Sequence, residues 1–266
     1  MINNNDVNSH ERDITLDRRV KIMDTLEREG QVKVSDLSQT FGVSEVTIRN
    51  DLAQLEEKGL LVRTRGGGMK AQRVAIDYQL HEKAKRYLKE KQAIGKAAAG
   101  LIKDNDTIII DSGTTTQELA KQLNHINNLT VITNALNIAG QIVNEEDIKV
   151  IMLGGLLRHK SLSLIGPVAE TSLKNYFCDK LFIGVDGIDS QYGITTPNIE
   201  EAHLNRQMID ISKEVIVLTD SSKFSRRSFA HIAGIDRIDT VVTDSNIPAE
   251  ELKNLQNAGI NVIIAK

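Results

Sequence analysis

Two groups of polar residues have the types and spacing that bind charged partners. The first group follows an apolar run at residues 107–110 and consists of Asp111, Ser112, Gly113, Thr114, Thr115 and Thr116. We expect a helix to begin within it, and unpaired amides at a helix N-terminus bind anions, especially beside hydroxyl groups. The group lacks the lysine and the length of a nucleotide-binding phosphate loop, so ATP and GTP are not expected. A hydroxyl-rich helix cap without a ligand is the alternative interpretation.

Three more polar loops follow later apolar runs of the chain. Their candidate ligand-binding residues are Gly154, Gly155, Arg158, Lys160, Asp186, Asp189 and Lys223. Cations suit an anionic ligand, whereas carboxylates accept hydrogen bonds from sugar hydroxyls. Each loop also has a purely structural interpretation: the aspartates can cap turns, the glycines can form an ordinary loop, and the lysine can lie on the surface. Together, the loops predict a pocket for a phosphorylated sugar.

The second group lies on a predicted helix at residues 44–58. Val46, Ile48, Leu52 and Leu55 include i, i+3 and i+4 pairs, which predict a buried face. Ser is a favoured residue at a helix N-cap, and Gly is favoured just after a helix end, which fits positions 44 and 59. The polar residues near the start of this helix are of the types that contact phosphates and base edges in a DNA groove.

The segments around this helix predict a winged helix-turn-helix unit. An amphipathic helix at residues 16–29 and an extended piece at 31–34 precede a short helix at 36–41, capped by Ser35. A strand at 60–65 and a tight glycine turn at 66–68 follow. A small three-helix bundle that binds proteins is the alternative. The candidate DNA-contacting residues are Ser35, Ser44, Glu45, Thr47, Arg49, Asn50, Arg63 and Arg65.

The rest of the chain alternates between apolar runs and amphipathic segments. The predicted strands are residues 107–111, 130–133, 150–153, 181–185, 215–219, 240–243 and 261–265. The predicted helices between them are residues 116–123, 135–143, 168–176, 200–212 and 249–258. Continuous apolar strands that alternate with helices predict a mostly parallel sheet covered on both faces. The fold class is therefore α/β, with an N-terminal winged helix-turn-helix and a C-terminal three-layer domain.

Composition restricts the function classes. The chain has 266 residues, 40% of them hydrophobic, and a net charge of −3, so DNA binding would depend on placed cations. The single cysteine, Cys178, excludes an intramolecular disulfide and fits a reducing cytosol. We expect no signal peptide, membrane span, metal site or cofactor, because the required runs and spacings are missing.

Changes in the pattern divide the chain. We predict a disordered tail at residues 1–15, a DNA-binding domain at 16–70, a linker and helix at 71–91 and a ligand-sensing domain at 92–266. Residues 70–91 contain seven basic and three acidic residues, which can contact DNA or form a solvated helix face.

Both halves resemble the DeoR/GlpR family of bacterial repressors. Residues 18–68 resemble its N-terminal domain through Ser44, the sequence TIRNDL at 47–52 and Leu55-Glu56. Residues 111–116, 184–187 and 219–223, with Asn134 and the pair Gly154-Gly155, resemble its effector domain, which is similar in fold to ribose-5-phosphate isomerase. The resemblance adds Asn134 and a carboxylate, either Glu200 or Glu201, to the candidate effector site; we take Glu200 as the candidate.

The resemblance to the isomerase implies binding without catalysis. Residues 186–189 resemble the isomerase's Asp-Gly-x-Asp motif, but the catalytic lysine that follows in the isomerase is missing from residues 193–198, which read GITTPN. Among family members, the loops and residues 200–206 are most similar to regulators of N-acetylgalactosamine and galactosamine utilisation.

The sequence therefore predicts a cytoplasmic transcription repressor and not an enzyme. Its expected partners are a double-stranded DNA operator and a phosphorylated sugar or amino sugar, and a homodimer or homotetramer would suit palindromic sites. The alternatives are an active sugar-phosphate isomerase or deaminase with a DNA-binding appendage, and a protein-interaction adaptor.

Overall fold

The computed structural model describes residues 4–70 and 77–266, which divide into two units. The first unit draws on Met1–Ile76 and His81–Arg86, and the second on Asp77–Leu80 and Tyr87–Lys266. The first part of the predicted linker, residues 71–76, lies outside the described residues. Among the described residues, no helix is both long enough and apolar enough to cross a lipid bilayer.

The N-terminal part of the first unit, residues 4–70, contains three helices and a small antiparallel sheet. Its elements in chain order are α1 (Asn4–Glu29), β1 (Gln31–Lys33), α2 (Val34–Phe41), α3 (Glu45–Glu57), β2 (Leu61–Thr64) and β3 (Gly67–Lys70). The strands pair in the order β1-β3-β2. Ile22, Leu26, Ile48 and Leu52 are fully buried and form the centre of its core. This arrangement is the predicted winged helix-turn-helix.

Two predictions for the helices of this unit differ from the structure. Helix α1 begins at Asn4, so residues 4–15 are helical and not the expected disordered tail. Extending an existing helix is far easier than nucleating one, and the packed part of α1 supplies the nucleus. Val46, predicted to be buried, is 61% exposed, because the buried face of α3 is completed by Asp51 instead.

The ends of α3 follow the local sequence signals. The Ser44 hydroxyl accepts a hydrogen bond from the Thr47 amide at 3.2 Å, which confirms the predicted N-cap. Gly59 has a φ of 70°, and the amides of Gly59 and Leu60 donate to the carbonyls of Glu56 and Leu55. This pair of bonds is a Schellman motif, which needs a left-handed residue at the position of the glycine.

The wing is tighter than predicted. Strands β2 and β3 are joined by Arg65 and Gly66 alone, whereas residues 66–68 were predicted to form the turn. Gly67 lies inside β3, where an added Cβ would be 1.9 Å from the carbonyl oxygen of Val32. The close approach of β1 to β3 therefore explains this glycine.

The helix predicted within residues 71–91 is divided by a break. Helix α4 (Leu80–Lys85) ends before Tyr87, whose φ of 52° is left-handed, and helix α5 (Leu88–Ala99) follows. The sequence gives little warning of this break, because a tyrosine rarely adopts a positive φ.

The second unit is built on a seven-stranded sheet. In chain order its strands are β4 (Thr107–Ile110), β5 (Leu129–Thr133), β6 (Ile148–Met152), β9 (Cys178–Gly184), β12 (Ser212–Leu218), β14 (Thr240–Thr243) and β15 (Asn261–Ile264). Five shorter strands lie between these in the chain and pair outside the large sheet: β7 (Leu156–Arg158), β8 (Ser163–Ile165), β10 (Gly187–Asp189), β11 (Gly193–Thr196) and β13 (Ala230–Ala233). The seven pair in the order β15-β14-β12-β9-β4-β5-β6, and every pairing is parallel. All seven predicted strands are confirmed.

Helices cover both faces of this sheet. They are α6 (Thr114–Ala120), α7 (Leu136–Ile142), α8 (Pro167–Leu173), α9 (Ile199–Asp210) and α10 (Ala249–Asn257). One core cluster contains Ile94, Leu119 and Ile138 from α5, α6 and α7, and the other contains residues of α8, α9 and α10. Successive residues of β4 enter opposite clusters, as expected for a strand buried on both faces. The predicted three-layer α/β fold is confirmed.

The strand order places a topological switch point at the carboxyl ends of β4 and β9. From β4 the chain continues outward through β5 and β6, and it then returns to build β9, β12, β14 and β15 on the other side. The connections after β4 and β9 therefore leave in opposite directions. Ligands of open α/β sheets bind at such a switch point.

The sequence did not predict the short antiparallel strands. Strands β7 and β8 form one hairpin, and β10, β11 and β13 form a three-stranded sheet. With three or four residues each, they are too short to show a clear alternation of hydrophobicity. They nevertheless carry or flank many of the candidate ligand-binding residues.

Candidate functional site

The start of α3 presents polar side chains to solvent. Ser44, Glu45, Arg49 and Asn50 are exposed, and Thr47 is partly buried. Arg49 forms an ion pair with Glu45 one turn away, and both side chains are about half exposed. Exposed pairs of this kind contribute little, so Arg49 can exchange Glu45 for a phosphate or a base at small cost.

Ser35 has a different local role from the one predicted. Helix α2 begins two residues earlier than predicted, with Lys33 at its N-cap and no side-chain capping bond. The Ser35 hydroxyl donates to Asp36 at 2.8 Å and remains exposed. The prediction that Ser35 caps α2 was wrong because Val34, buried in the core, takes the first helical position.

Asp51 fixes the recognition helix to α1. Its carboxylate is 1% exposed and accepts from Arg18 Nε at 2.5 Å and from Arg19 Nε at 2.7 Å. Both arginines lie on α1, so these charge-assisted bonds set how α3 presents its outer face. The i, i+3 relation of Asp51 to Ile48 was the available signal for its burial, but an acidic residue is an unusual choice for a buried position.

Arg63 and Arg65 are exposed on the wing. Arg63 lies on β2, and its backbone amide donates to a carboxylate oxygen of Glu56 at 3.0 Å, which connects the wing to the end of α3. Arg65 lies in the two-residue turn. The guanidinium groups are thus carried by a short, anchored ribbon.

In the second unit, residues 111–116 lie at the switch point. The Asp111 amide donates to the Phe182 carbonyl of β9 at 3.0 Å, and Thr114 begins α6. Gly113 is the N-cap with a φ of 164°, an extended conformation that any residue can adopt. The backbone conformation of Gly113 therefore does not require glycine, but the space around it is limited: an added Cβ would lie 3.0 Å from the Thr116 hydroxyl and 4.0 Å from Gly184.

Several buried polar atoms near this loop have no hydrogen-bond partner among the described residues. They include the Thr116 hydroxyl on α6, Asn134 Oδ1 after β5 and Asn137 Oδ1 on α7. The amide nitrogens of the two asparagines donate to the Leu164 carbonyl and to Gln117, at 3.4 and 3.1 Å. Buried polar groups are almost always satisfied, so these atoms fit a site completed by a polar ligand.

Arg158 lies at the centre of a partly buried ionic cluster. It forms ion pairs with Asp77 and with Glu201, the latter at 3.3 Å, and its side chain is 13% exposed. It also donates to the Ser161 hydroxyl at 2.9 Å. Glu201 in turn accepts from the hydroxyls of Ser163 and Thr196, at 3.1 and 3.5 Å. The cluster joins the β7–β8 hairpin to the start of α9.

The carboxylate that enters the cluster is Glu201 and not Glu200. Glu200 is exposed in the first turn of α9, whereas Glu201 is 8% exposed. The Glu201 amide donates to the N-cap side chain of Asn198 at 2.8 Å, so the glutamate is the third residue of the helix. The Asn-x-x-Glu spacing and the i+4 relation to Asn205 were the signals in the sequence that favoured Glu201.

Asn205 links α9 to the loop after β4. Its amide donates to Asp111 Oδ2 at 2.9 Å, and both side chains are buried. Burial of the Asp111 carboxyl, reinforced by the negative charge of Glu201, raises its pKa to about 7. Through α9, Asp111 and Arg158 therefore belong to one connected polar region.

The other candidate residues divide into two sets. Lys223, on the 3-10 turn Ser221–Lys223, has its ammonium 3.9 Å from Asp186, so these two residues lie together after β12 and β9. Asp189 instead accepts from the amides of Gln191 and Tyr192, at 2.9 and 3.1 Å, and stabilises the turn between β10 and β11. For Asp189 the turn-cap alternative describes the structure.

The glycine pair after β6 has a steric role. At Gly155, where φ is 134°, a Cβ would lie 2.5 Å from the Ile165 carbonyl oxygen, and at Gly154 it would lie 3.0 Å from Val168. The absence of side chains at these two glycines allows the start of β7 to lie close to the end of β8. Lys160, at the tip of this hairpin, is half exposed and lies 3.3 Å from Asp77.

Known proteins are similar to this chain along nearly its whole length. Residues 18–73 match the protein-family model described as "DeoR-like helix-turn-helix domain", and residues 86–245 match the one described as "DeoR C terminal sensor domain". A protein of Escherichia coli O157:H7 named putative aga operon transcriptional repressor is 42% identical over 94% of both chains. The Bacillus subtilis HTH-type transcriptional repressor GlcR is 38% identical over 87% of this chain and 88% of its own.

A further relative and a solved structure are also similar to this chain. The Haloferax volcanii HTH-type transcriptional regulator GlpR is 32% identical over 93% of this chain and 96% of its own. Among solved structures, ribose 5-phosphate isomerase A from Methanocaldococcus jannaschii matches with a TM-score of 0.37 and 18% identity, over 50% of this chain and 53% of its own.

The raised pKa of Asp111 predicts a pH dependence of stability. Because the folded-state pKa of about 7 exceeds the usual value of 3.8, the stability gained by protonation is complete below about pH 4 and is lost as pH rises through 7. Asp111→Asn cannot ionise and keeps an acceptor for Asn205. Between pH 6 and 8.5, wild type should lose about 1.4 kcal/mol of unfolding free energy relative to the variant, measured by urea denaturation. Parallel pH profiles would contradict the assignment.

Proposed function

The chain belongs to the DeoR family of transcriptional regulators, and we propose that it represses a sugar or amino-sugar catabolic operon under the control of a phosphorylated sugar. The observation that carries the sensing part is the presence of cations, carboxylates and unsatisfied buried polar atoms on the segments that follow β4, β5, β6, β9 and β12. We further propose that the chain acts in the cytoplasm as a homodimer or homotetramer, with residues 16–70 as the DNA-binding domain and residues 92–266 as the sensor.

DNA recognition is assigned to α3 and the wing. The exposed side chains of Arg49 and Asn50 and the partly buried Thr47 lie in the first turns of α3, the region of a recognition helix that reaches base edges. Arg63 and Arg65 on the wing supply charge to backbone phosphates. Their anchoring through Glu56 and Asp51 supports this assignment, because contact residues need a fixed geometry.

Effector binding is assigned to the crevice after β4 and β9. A phosphate placed at residues 112–116 would accept from the amides that open α6 and from the Thr116 hydroxyl. Asn134 and Asp186 offer acceptors for sugar hydroxyls, and Arg158 and Lys223 offer positive charge within the same unit. Protonation of Asp111 near neutral pH lowers the repulsion that a phosphate would meet there.

An amino sugar phosphate is our proposal for the effector class. The family resemblance of the loops and of residues 200–206 to regulators of galactosamine utilisation supports it, as does the aga operon in the name of the Escherichia coli relative. A thermal-shift screen of hexose, hexosamine and pentose phosphates tests the class directly, since a ligand that binds the folded state raises its melting temperature.

Alanine variants of α3 and the wing should weaken DNA binding in different ways. Arg49→Ala should lose about 1–3 kcal/mol of binding free energy on an operator selected from random DNA, because a contact to a base is lost. Arg63→Ala and Arg65→Ala should weaken all sequences equally and each reduce the salt slope by about one unit, because phosphate contacts are lost. Fluorescence anisotropy at several salt concentrations measures both. A sequence-selective loss in the wing variants, or none in Arg49→Ala, would oppose these roles.

Gly113→Val should block the effector while leaving DNA binding intact. The added side chain would crowd the Thr116 hydroxyl and the space beside Gly184, where we place the phosphate. Calorimetric titration of galactosamine 6-phosphate should show at least a tenfold loss of affinity.

The matched control is Gly140→Val, the same substitution on an exposed turn of α7 with nothing within 4 Å of the added Cβ. Circular dichroism confirms that both variants fold. Equal affinity in wild type and Gly113→Val would place the phosphate elsewhere.

A further inference from the structure

The two hairpin cations assigned to the proposed effector site both pair with Asp77. Arg158 Nη2 forms an ion pair with the Asp77 carboxylate, and Lys160 Nζ lies 3.3 Å from the same carboxylate and 3.5 Å from the Asp77 carbonyl oxygen. Asp77 was not a candidate residue in the sequence, because its partner Arg158 lies 81 positions away.

Asp77 lies in the segment where the chain passes between the two units. Asp77–Leu80 belongs to the second unit, whereas the stretches on either side, up to Ile76 and from His81 to Arg86, belong to the first. A second bond holds the segment to the hairpin, because the Leu80 amide donates to the Lys160 carbonyl at 2.8 Å. The β7–β8 hairpin thus holds both ends of this four-residue segment.

The pairing is suited to exchange with a phosphate. The Arg158 and Asp77 side chains are 13% and 20% exposed, so neither charge is fully hydrated and each requires a partner. Two hydroxyls lie beside Arg158: Ser161 Oγ at 2.9 Å and Ser163 Oγ, 2.8 Å from Ser161 Oγ. A phosphate monoester brings more negative charge than a carboxylate and more acceptor atoms, so it can replace Asp77 on Arg158, Lys160 and these hydroxyls.

We propose that the Asp77 carboxylate competes with the effector phosphate for Arg158 and Lys160, and that a phosphorylated effector bound at residues 112–116 takes these two cations from Asp77 and releases the segment Asp77–Leu80. This inference rests on the proposed function for the identity of the ligand. The effector then binds more tightly when the segment is released than when Asp77 holds it to the hairpin. Such unequal affinity for two states is what any allosteric ligand requires. Asp77 is a positioning residue that acts through Arg158 and Lys160, and it adds a regulatory contact to the site.

Asp77→Asn in the full chain tests the competition without needing the natural effector. Inorganic phosphate, titrated calorimetrically into protein prepared in phosphate-free buffer, should bind the variant about tenfold more tightly than wild type, because the competing carboxylate is gone. Adding Arg158→Gln to the variant should abolish the gain. Asp210→Asn is the matched control, since it removes an exposed carboxylate of the same unit, paired with Arg237 at 2.8 Å, and should change nothing. Equal or undetectable phosphate binding in wild type and Asp77→Asn would overturn the proposal.

Release of the segment is measured by hydrogen exchange. Saturating galactosamine 6-phosphate should accelerate exchange of the Leu80 amide in wild type at least tenfold, and Asp77→Asn should exchange fast without ligand. Unchanged exchange in a wild-type protein shown by calorimetry to be saturated would refute release. If galactosamine 6-phosphate and the other sugar phosphates fail to bind wild type, the proposed function fails, whereas the phosphate titration of Asp77→Asn still decides whether Asp77 competes for the hairpin cations.

Discussion

The position of β4 in the parallel sheet is the constraint on which the proposed sensor depends. The chain leaves β4 toward β5 and β6 and later returns to place β9 on the opposite side, so the loops after β4 and β9 diverge. In open α/β sheets, such a divergence forms the crevice in which ligands bind. Asp111, Gly113 and Gly184 meet there because hydrogen bonding continues from β4 to β9 at Asp111 and Phe182.

Charge near this crevice is compensated within the protein. Arg158 forms ion pairs with both Glu201 and Asp77. Asp111 avoids the cost of a buried negative charge by holding a proton up to about neutral pH. Unpaired charges at such sites would cost several kcal/mol each, so removing any one partner redistributes the others. A ligand that replaces one partner can therefore change the position of a segment without disturbing the hydrophobic core on either face.

The sequence predicted regular elements well and side-chain environments less well. All seven long strands and the winged helix-turn-helix were confirmed, because apolar runs, Ser44 and Gly59 are local signals with a direct physical basis. The exposure of Val46 and the role of Ser35 were mispredicted, because tertiary packing selected which residues of α2 and α3 are buried. The choice between Glu200 and Glu201 was left open and Asp77 was missed, since Glu201 and Asp77 pair with Arg158 across 43 and 81 positions, and distant pairing has no signature in a single sequence.

The central claim is that one ligand-binding unit controls DNA affinity through a phosphorylated sugar. The most direct measurement is the affinity of galactosamine 6-phosphate for the free protein and for the protein saturated with its operator, both by calorimetry. The account predicts that the two affinities differ by about fivefold or more, and that the ratio equals the change in operator affinity caused by the sugar phosphate, because coupling is reciprocal. Measurable binding with the same affinity in both states would contradict it.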